Sequence, residues 1–126
     1  MKQEQFGGVQ DVRACHAYVG IFAWRYGSIP KGCKQSITHL EYLAARQAGI
    51  PCLIFLLDKK APWPVESVST GAERQKIDAL RAELEANHTV NRFHDAKDLA
   101  TLVTAAVSGL HLEAGNSPPE VVAHWV

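Results

Sequence analysis

Two apolar runs decide the fold: Ala17-Tyr-Val-Gly-Ile-Phe-Ala-Trp24 and Cys52-Leu-Ile-Phe-Leu-Leu57. Neither run alternates between apolar and polar residues, and this continuity is typical of parallel strands that are covered on both faces. Glycines and prolines after the first run predict a loop over residues 25–35. The two runs therefore indicate a buried parallel sheet.

Amphipathic segments predict helices between and after the strands. The first helix begins at Ser36 or Thr38 and ends at Gly49. A second is predicted over residues 72–87, and a third from a capping box at Asp95 to about residue 110. The inward faces are predicted to be Leu40, Leu43, Ala44 and Ala48, then Ile77, Leu80 and Leu84, then Leu99, Leu102, Val103, Ala106 and Val107.

A third, shorter strand is predicted over His88–Phe93, so that strand and helix alternate three times. This order predicts parallel crossovers and an α/β fold in three layers, with a short parallel sheet of about three strands and helices on both faces. Residues 1–111 are expected to form a single domain, and residues 112–126 a tail or linker. Three parallel strands leave an apolar edge bare at the first strand, which predicts either missing strands or a homodimer through that edge.

Composition excludes several classes of function. Lysine plus arginine (13) balances aspartate plus glutamate (13), so the chain has no electrostatic footprint for nucleic acid. No apolar run is long enough to span a membrane, and three widely spaced cysteines predict free thiols in a cytoplasmic protein. The scattered histidines predict no metal site, and the sequence lacks a glycine-rich phosphate loop, so no cofactor is predicted.

Three segments, Tyr18–Pro30, Ser36–Tyr42 and Leu53–Pro64, resemble the family called domain of unknown function 4062. The resemblance runs from about Asp11 to Leu110, and the Trp-Arg-Tyr-Gly loop is its most specific part. Members of this family occur in multidomain signalling ATPases and in bacterial proteins with suspected defence roles. Because members generally begin with an earlier strand and a long helix, the resemblance implies that the first strands are absent here.

The helix from Glu41 to Pro51 also resembles Toll/interleukin-receptor-like (TIR-like) NAD hydrolases and nucleoside deoxyribosyltransferases. Both groups place a glutamate early in this helix and often a glycine eight positions later, as Glu41 and Gly49 stand here. The resemblance implies a flavodoxin-like or TIR-like fold in which Glu41 acts as the nucleophile, or stabilises the positive charge on the sugar, during cleavage of an N-glycosidic bond. His39 stands where many relatives carry an acidic residue, so a second carboxylate is missing.

Five further residues are candidates for binding the nucleotide or NAD that this chemistry requires. Trp24, Arg25 and Tyr26 leave the first strand at its carboxyl end. There the rings would stack on a base and the guanidinium would hold a phosphate. Ser36 and Thr38 would present the free N–H groups of a helix N-terminus to a phosphate or ribose.

Each candidate also has a structural alternative. The two aromatic rings would pack the loop, and Arg25 would pair with an acid such as Asp58. Ser36 and Thr38 would cap the helix. Glu41 would hydrogen-bond the backbone N–H of Thr38 in a capping box.

The sequence thus supports three hypotheses of function. The first is a nucleotide-binding domain that cleaves an N-glycosidic bond in signalling or defence. The second is a non-catalytic signalling module that works by self-association. The third is a degenerate fragment of a larger protein.

Overall fold

The computed structural model describes residues 16–114 and 121–125, and within them one parallel sheet has the strand order β3-β2-β1-β4. The strands are β1 (Ala17–Phe22), β2 (Cys52–Leu57), β3 (Asn91–Phe93) and β4 (Val121–Trp125). The helices are α1 (Ile37–Ala48), α2 (Gly71–Asn87) and α3 (Ala96–Ala114), with a short 3-10 helix at Val65–Ser67. The predicted α/β fold with a short parallel sheet is confirmed.

Two hydrophobic cores lie on opposite faces of the sheet. Successive side chains of a strand point to opposite faces, so Tyr18 and Phe22 enter one core while Val19 and Ile21 enter the other. The first, called here the α1/α2 core, packs the sheet against α1 and α2. The second, the α3 core, packs it against α3. Both faces of β1 and β2 are covered, which explains why their sequences are continuously apolar.

Helix α1 begins and ends at the predicted residues but buries a different face. The Oγ of Ser36 accepts the backbone N–H of His39 at 3.2 Å, and Gly49 closes the helix in the left-handed conformation at φ 75°. The predicted inward stripe is partly wrong, because Ala48 is exposed. The buried side chains are those of Thr38, Glu41, Tyr42, Ala44 and Ala45.

Helices α2 and α3 bury the predicted apolar residues. Ile77, Leu80 and Leu84 lie in the α1/α2 core, and the predicted inward face of α3 lies in the α3 core. The Oδ1 of Asp95 accepts the backbone N–H of Asp98 at 2.8 Å, which confirms the predicted cap of α3. No helix in the described ranges combines the length and the apolar character needed to cross a membrane.

The fourth strand lies in the segment that the sequence predicted to be a tail or linker. Strand β4 pairs in parallel with β1, from Ala17 opposite Val121 to Ile21 opposite Trp125. In the sheet described here β1 therefore has a neighbour on each side, and the bare edge expected at the first strand is covered by this chain itself. The chain runs from β1 outward to β3 and returns through α3 to the other side of β1, so the strand order reverses between β1 and β4.

The absence of a side chain at Gly20 leaves space for two aromatic rings of β1. A Cβ at this position would lie 2.6 Å from Cε2 of Phe22 and 2.8 Å from Cε2 of Tyr18. Both rings are fully buried, so neither can move aside without opening the α1/α2 core.

We expect Gly20→Ala to lower the free energy of unfolding by about 1–3 kcal/mol, the usual cost of overpacking a core, measured by urea denaturation. Gly109→Ala in α3 is the matched control, because a Cβ there meets nothing within 4 Å. It should raise stability by about 0.5–1 kcal/mol through helix propensity. Equal effects of the two substitutions would contradict this account of Gly20.

Candidate functional site

A cavity of about 450 Å³ opens beside α2 at the carboxyl ends of β1 and β2. Trp24 follows β1, Lys59 follows β2, and the other lining residues lie on α2. The carboxyl edge of an open parallel sheet is where α/β proteins bind ligands, and this volume suits a small molecule. The full lining is Trp24, Lys59, Arg74, Asp78, Arg81, Ala82 and Glu85.

Arg81 ties the two strands together at the base of this cavity. Its side chain is buried, and Nη1 donates to the carbonyl oxygens of Phe22 at 3.3 Å and Ala23 at 3.0 Å. Nη2 donates to the carbonyl oxygen of Leu57 at 2.6 Å. Burial lowers the pKa of Arg81 to about 10, so the guanidinium remains charged at neutral pH. It therefore makes charge-assisted hydrogen bonds to the ends of β1 and β2.

The sequence analysis missed Arg81, although a signal was present. Arg81 stands four residues after Ile77 and three before Leu84, a spacing that places it on the buried face of the helix. A charged residue at such a position needs buried partners, which the ends of the strands supply. The spacing could therefore have identified Arg81 as buried, but not which carbonyl oxygens it contacts.

Two arginines hold the indole of Trp24 at the cavity. The guanidinium carbon of Arg81 lies 3.9 Å from the ring centroid, and that of Arg74 lies 4.8 Å from it. These are cation–π contacts. The backbone is also fixed, because the N–H of Ser69 donates to the carbonyl oxygen of Trp24 at 2.9 Å. Trp24 is thus the predicted ligand residue that the structure places in the cavity wall.

Positive charge exceeds negative charge in the lining. Lys59, Arg74 and Arg81 stand against two carboxylates, Asp78 and Glu85. Arg74 Nε contacts Asp78 Oδ1 at 3.0 Å. Glu85 hydrogen-bonds Arg92, and this bond holds the pKa of the Glu85 carboxyl below its usual range. The excess of cations, with both carboxylates already engaged, suits the cavity to an anion.

The other predicted ligand residues lie away from this lining. Tyr26 packs in the α1/α2 core, and Arg25 is exposed to solvent. Ser36 caps α1, and Thr38 is buried within its first turn. Tyr26, Ser36 and Thr38 thus occupy packing and capping positions, and the predicted ligand roles of all four residues remain predictions.

Glu41 is the fifth residue of α1 and is only 5 % exposed. Burial raises the pKa of the Tyr18 phenol, and the nearby charge of Glu41 raises it further. Since Ser36 is the N-cap and Thr38 lies inside the helix, the proposed capping box at Thr38 is wrong. Glu41 does not line the cavity beside Trp24. Its catalytic role remains a prediction.

Comparison with known proteins gives one match. A family model described as "Domain of unknown function (DUF4062)" matches residues 8–108, which agrees with the resemblance drawn from the sequence. No curated protein and no solved structure matches the chain.

Replacing Arg81 tests its role at the base of the cavity. Arg81→Met keeps much of the apolar stem but leaves buried carbonyl oxygens of Ala23 and Leu57 without their donor. We expect the free energy of unfolding to fall by about 3 kcal/mol in urea denaturation. Arg74→Met on the same helix removes an exposed ion pair and should cost less than about 1 kcal/mol. A loss at Arg81 no larger than at Arg74 would refute this role.

Proposed function

The chain belongs to the DUF4062 family, and on that basis we propose that it is a nucleotide-binding domain acting in signalling or defence. The ligand occupies the cavity beside Trp24. One observation carries this proposal: an indole and three cationic side chains meet in one cavity at the carboxyl edge of a parallel sheet.

The cationic side chains divide into two groups. Arg81 is committed to backbone carbonyl oxygens and shapes the cavity. Lys59 is exposed and Arg74 is partly exposed, so both can reach a ligand phosphate. The ion pair of Arg74 with Asp78 lies at the surface, where such pairs contribute little stability, so a phosphate can compete for the guanidinium. The partly exposed ring of Trp24 offers an apolar surface to the base or nicotinamide.

Binding can be measured by titration calorimetry with NAD, ADP, AMP and pyrophosphate. The double variant Lys59→Gln/Arg74→Gln loses two charge-assisted contacts, so we expect the dissociation constant to rise by about 10- to 100-fold. Lys97→Gln, an exposed lysine on α3, is the matched control and should leave affinity unchanged. The proposal fails if none of the four compounds binds, or if the double variant binds as tightly as the wild type.

Cleavage of an N-glycosidic bond is the second candidate, and the burial of Glu41 favours it. A carboxylate taken out of water is costly, so a position with only a packing role favours a neutral residue. Glu41 also lies near the start of the helix that follows β1. A carboxylate there would stabilise the positive charge that develops on the sugar ring.

Chromatographic detection of released nicotinamide or base tests this second candidate. We expect the wild-type protein to release nicotinamide from NAD or base from a nucleoside, and Glu41→Gln to reduce the rate at least about 100-fold. Gln47, exposed on the same helix, provides the control Gln47→Ala, which should keep full activity. Equal rates for the wild type and Glu41→Gln would eliminate this mechanism while leaving the binding proposal intact.

We retain the homodimer as a proposal, but a second copy would add at a different edge of the sheet, because β4 covers the edge of the first strand. Strand β3 is three residues long, and its exposed Asn91 and Arg92 oppose pairing with another sheet. In the sheet formed by the described residues, the outer edge of β4 is therefore the edge through which a second copy would add.

A further inference from the structure

His39 connects the loop that carries Trp24 with helices α1 and α2. Nδ1 of His39 lies 2.8 Å from the phenol oxygen of Tyr26, and that oxygen also accepts the backbone N–H of Ser36 at 3.2 Å. The other ring nitrogen of His39 lies 3.8 Å from Oε1 of Glu83 on α2. His39 therefore connects the loop after β1 with the start of α1 and with α2.

The hydrogen bonds of the Tyr26 phenol determine which protonation state of His39 is compatible with the structure. Because the phenol oxygen already accepts from Ser36, we assign its own proton to the bond with Nδ1 of His39. Neutral His39 then carries its proton on Nε2, facing Glu83. A second proton on Nδ1 would turn that nitrogen into a donor. The phenol proton of Tyr26, which is only 2 % exposed, would then have to turn away from its acceptor.

We infer that His39 is a pH-sensitive latch: the neutral ring holds the loop after β1 in place at Tyr26, and protonation releases it there. The same segment is also held by the Oγ of Ser69, which accepts the backbone N–H of Tyr26 at 3.0 Å, and by the two arginines that contact the Trp24 ring. Releasing the phenol therefore loosens the loop at Tyr26, next to the cavity wall, while the arginine contacts of Trp24 remain. The latch is independent of what the cavity binds.

The surroundings of His39 have opposite effects on its pKa. Burial lowers the pKa of His39, while the carboxylate of Glu83 raises it. Arg46 of α1 contacts Glu83 at 3.3 Å and so weakens that attraction, and the ammonium of Lys76 lies 5.8 Å from the Tyr26 ring centroid. The balance still favours the neutral ring in the folded protein.

The sign of the pH effect follows from this balance. The pKa of His39 in the folded protein lies below the value of about 6.5 that applies to the unfolded chain. The unfolded chain therefore takes up the proton first, and stability falls as pH decreases from about 6.5 towards the pKa of the folded state. Above that window the contribution of His39 is constant.

His88 provides a matched control. Its Nε2 lies 2.8 Å from the phenol oxygen of Tyr42, and burial lowers its pKa as well. In this second tyrosine–histidine pair, His88 caps the C-terminus of α2 and Tyr42 lies on α1, and the hydrogen bond between them does not involve Tyr26. Both histidines lower stability at acid pH, but only His39 should control the loop.

Amide hydrogen exchange by NMR tests the latch. On lowering the pH from about 7 to about 5, protection factors at Tyr26 and Ser36 should fall about tenfold, the effect of losing one buried hydrogen bond, while Leu56 in β2 stays protected. His88→Gln should keep this fall, and His39→Gln should abolish its pH dependence. In a parallel titration, Tyr26→Phe should raise the pKa of His39, because the neutral ring loses its donor.

Three outcomes would overturn the latch. They are constant protection of Tyr26 in the wild type, the same fall in His39→Gln, and a fall at Leu56 equal to that at Tyr26. None of them depends on ligand binding, so the latch and the nucleotide proposal can fail separately.

Discussion

The carboxyl edge of the sheet depends on the buried guanidinium of Arg81. Parallel strands diverge where they end, and the carbonyl oxygens of Ala23 and Leu57 would otherwise be buried without donors. Arg81 supplies those donors from α2, and its own charge is stabilised by the same oxygens. This bridge fixes the position of Trp24, whose ring lies against the guanidinium, and so sets the wall of the cavity.

The loop after β1 is held from two sides by groups of different chemistry. Near Trp24 it meets Arg81, which stays charged at every physiological pH. Near Tyr26 it meets His39, whose pKa is lowered by burial and whose hydrogen bonds change on protonation. One end of a short segment is therefore permanently anchored, and the other end is sensitive to protons. Through this asymmetry, a change of pH would alter the loop at Tyr26 without disturbing the sheet.

The two candidate chemistries occupy different parts of the molecule. The cationic cavity lies between the strand ends and α2, whereas Glu41 is buried on α1 and does not line that cavity. A ligand of NAD size is long enough for its phosphates and its glycosidic bond to lie several ångströms apart. The cavity and the carboxylate therefore support separate proposals, binding and cleavage, which can be tested one at a time.

The sequence by itself determined the architecture, because continuous apolar strands, helix caps and helical periodicity act over short distances along the chain. It also predicted which faces of α2 and α3 pack against the sheet, and it selected Trp24, which lines the cavity and whose ligand role remains a prediction. Tertiary structure alone decided the role of Arg81, the pairing of β4 with β1 and the fastening of Tyr26 by His39. Each of these joins residues far apart in sequence or in different elements, and local patterns do not show which partners will meet. Arg81, for example, stands among the apolar residues of α2. Its partners are the carbonyl oxygens of Ala23 and Leu57, which only the folded sheet brings next to this helix.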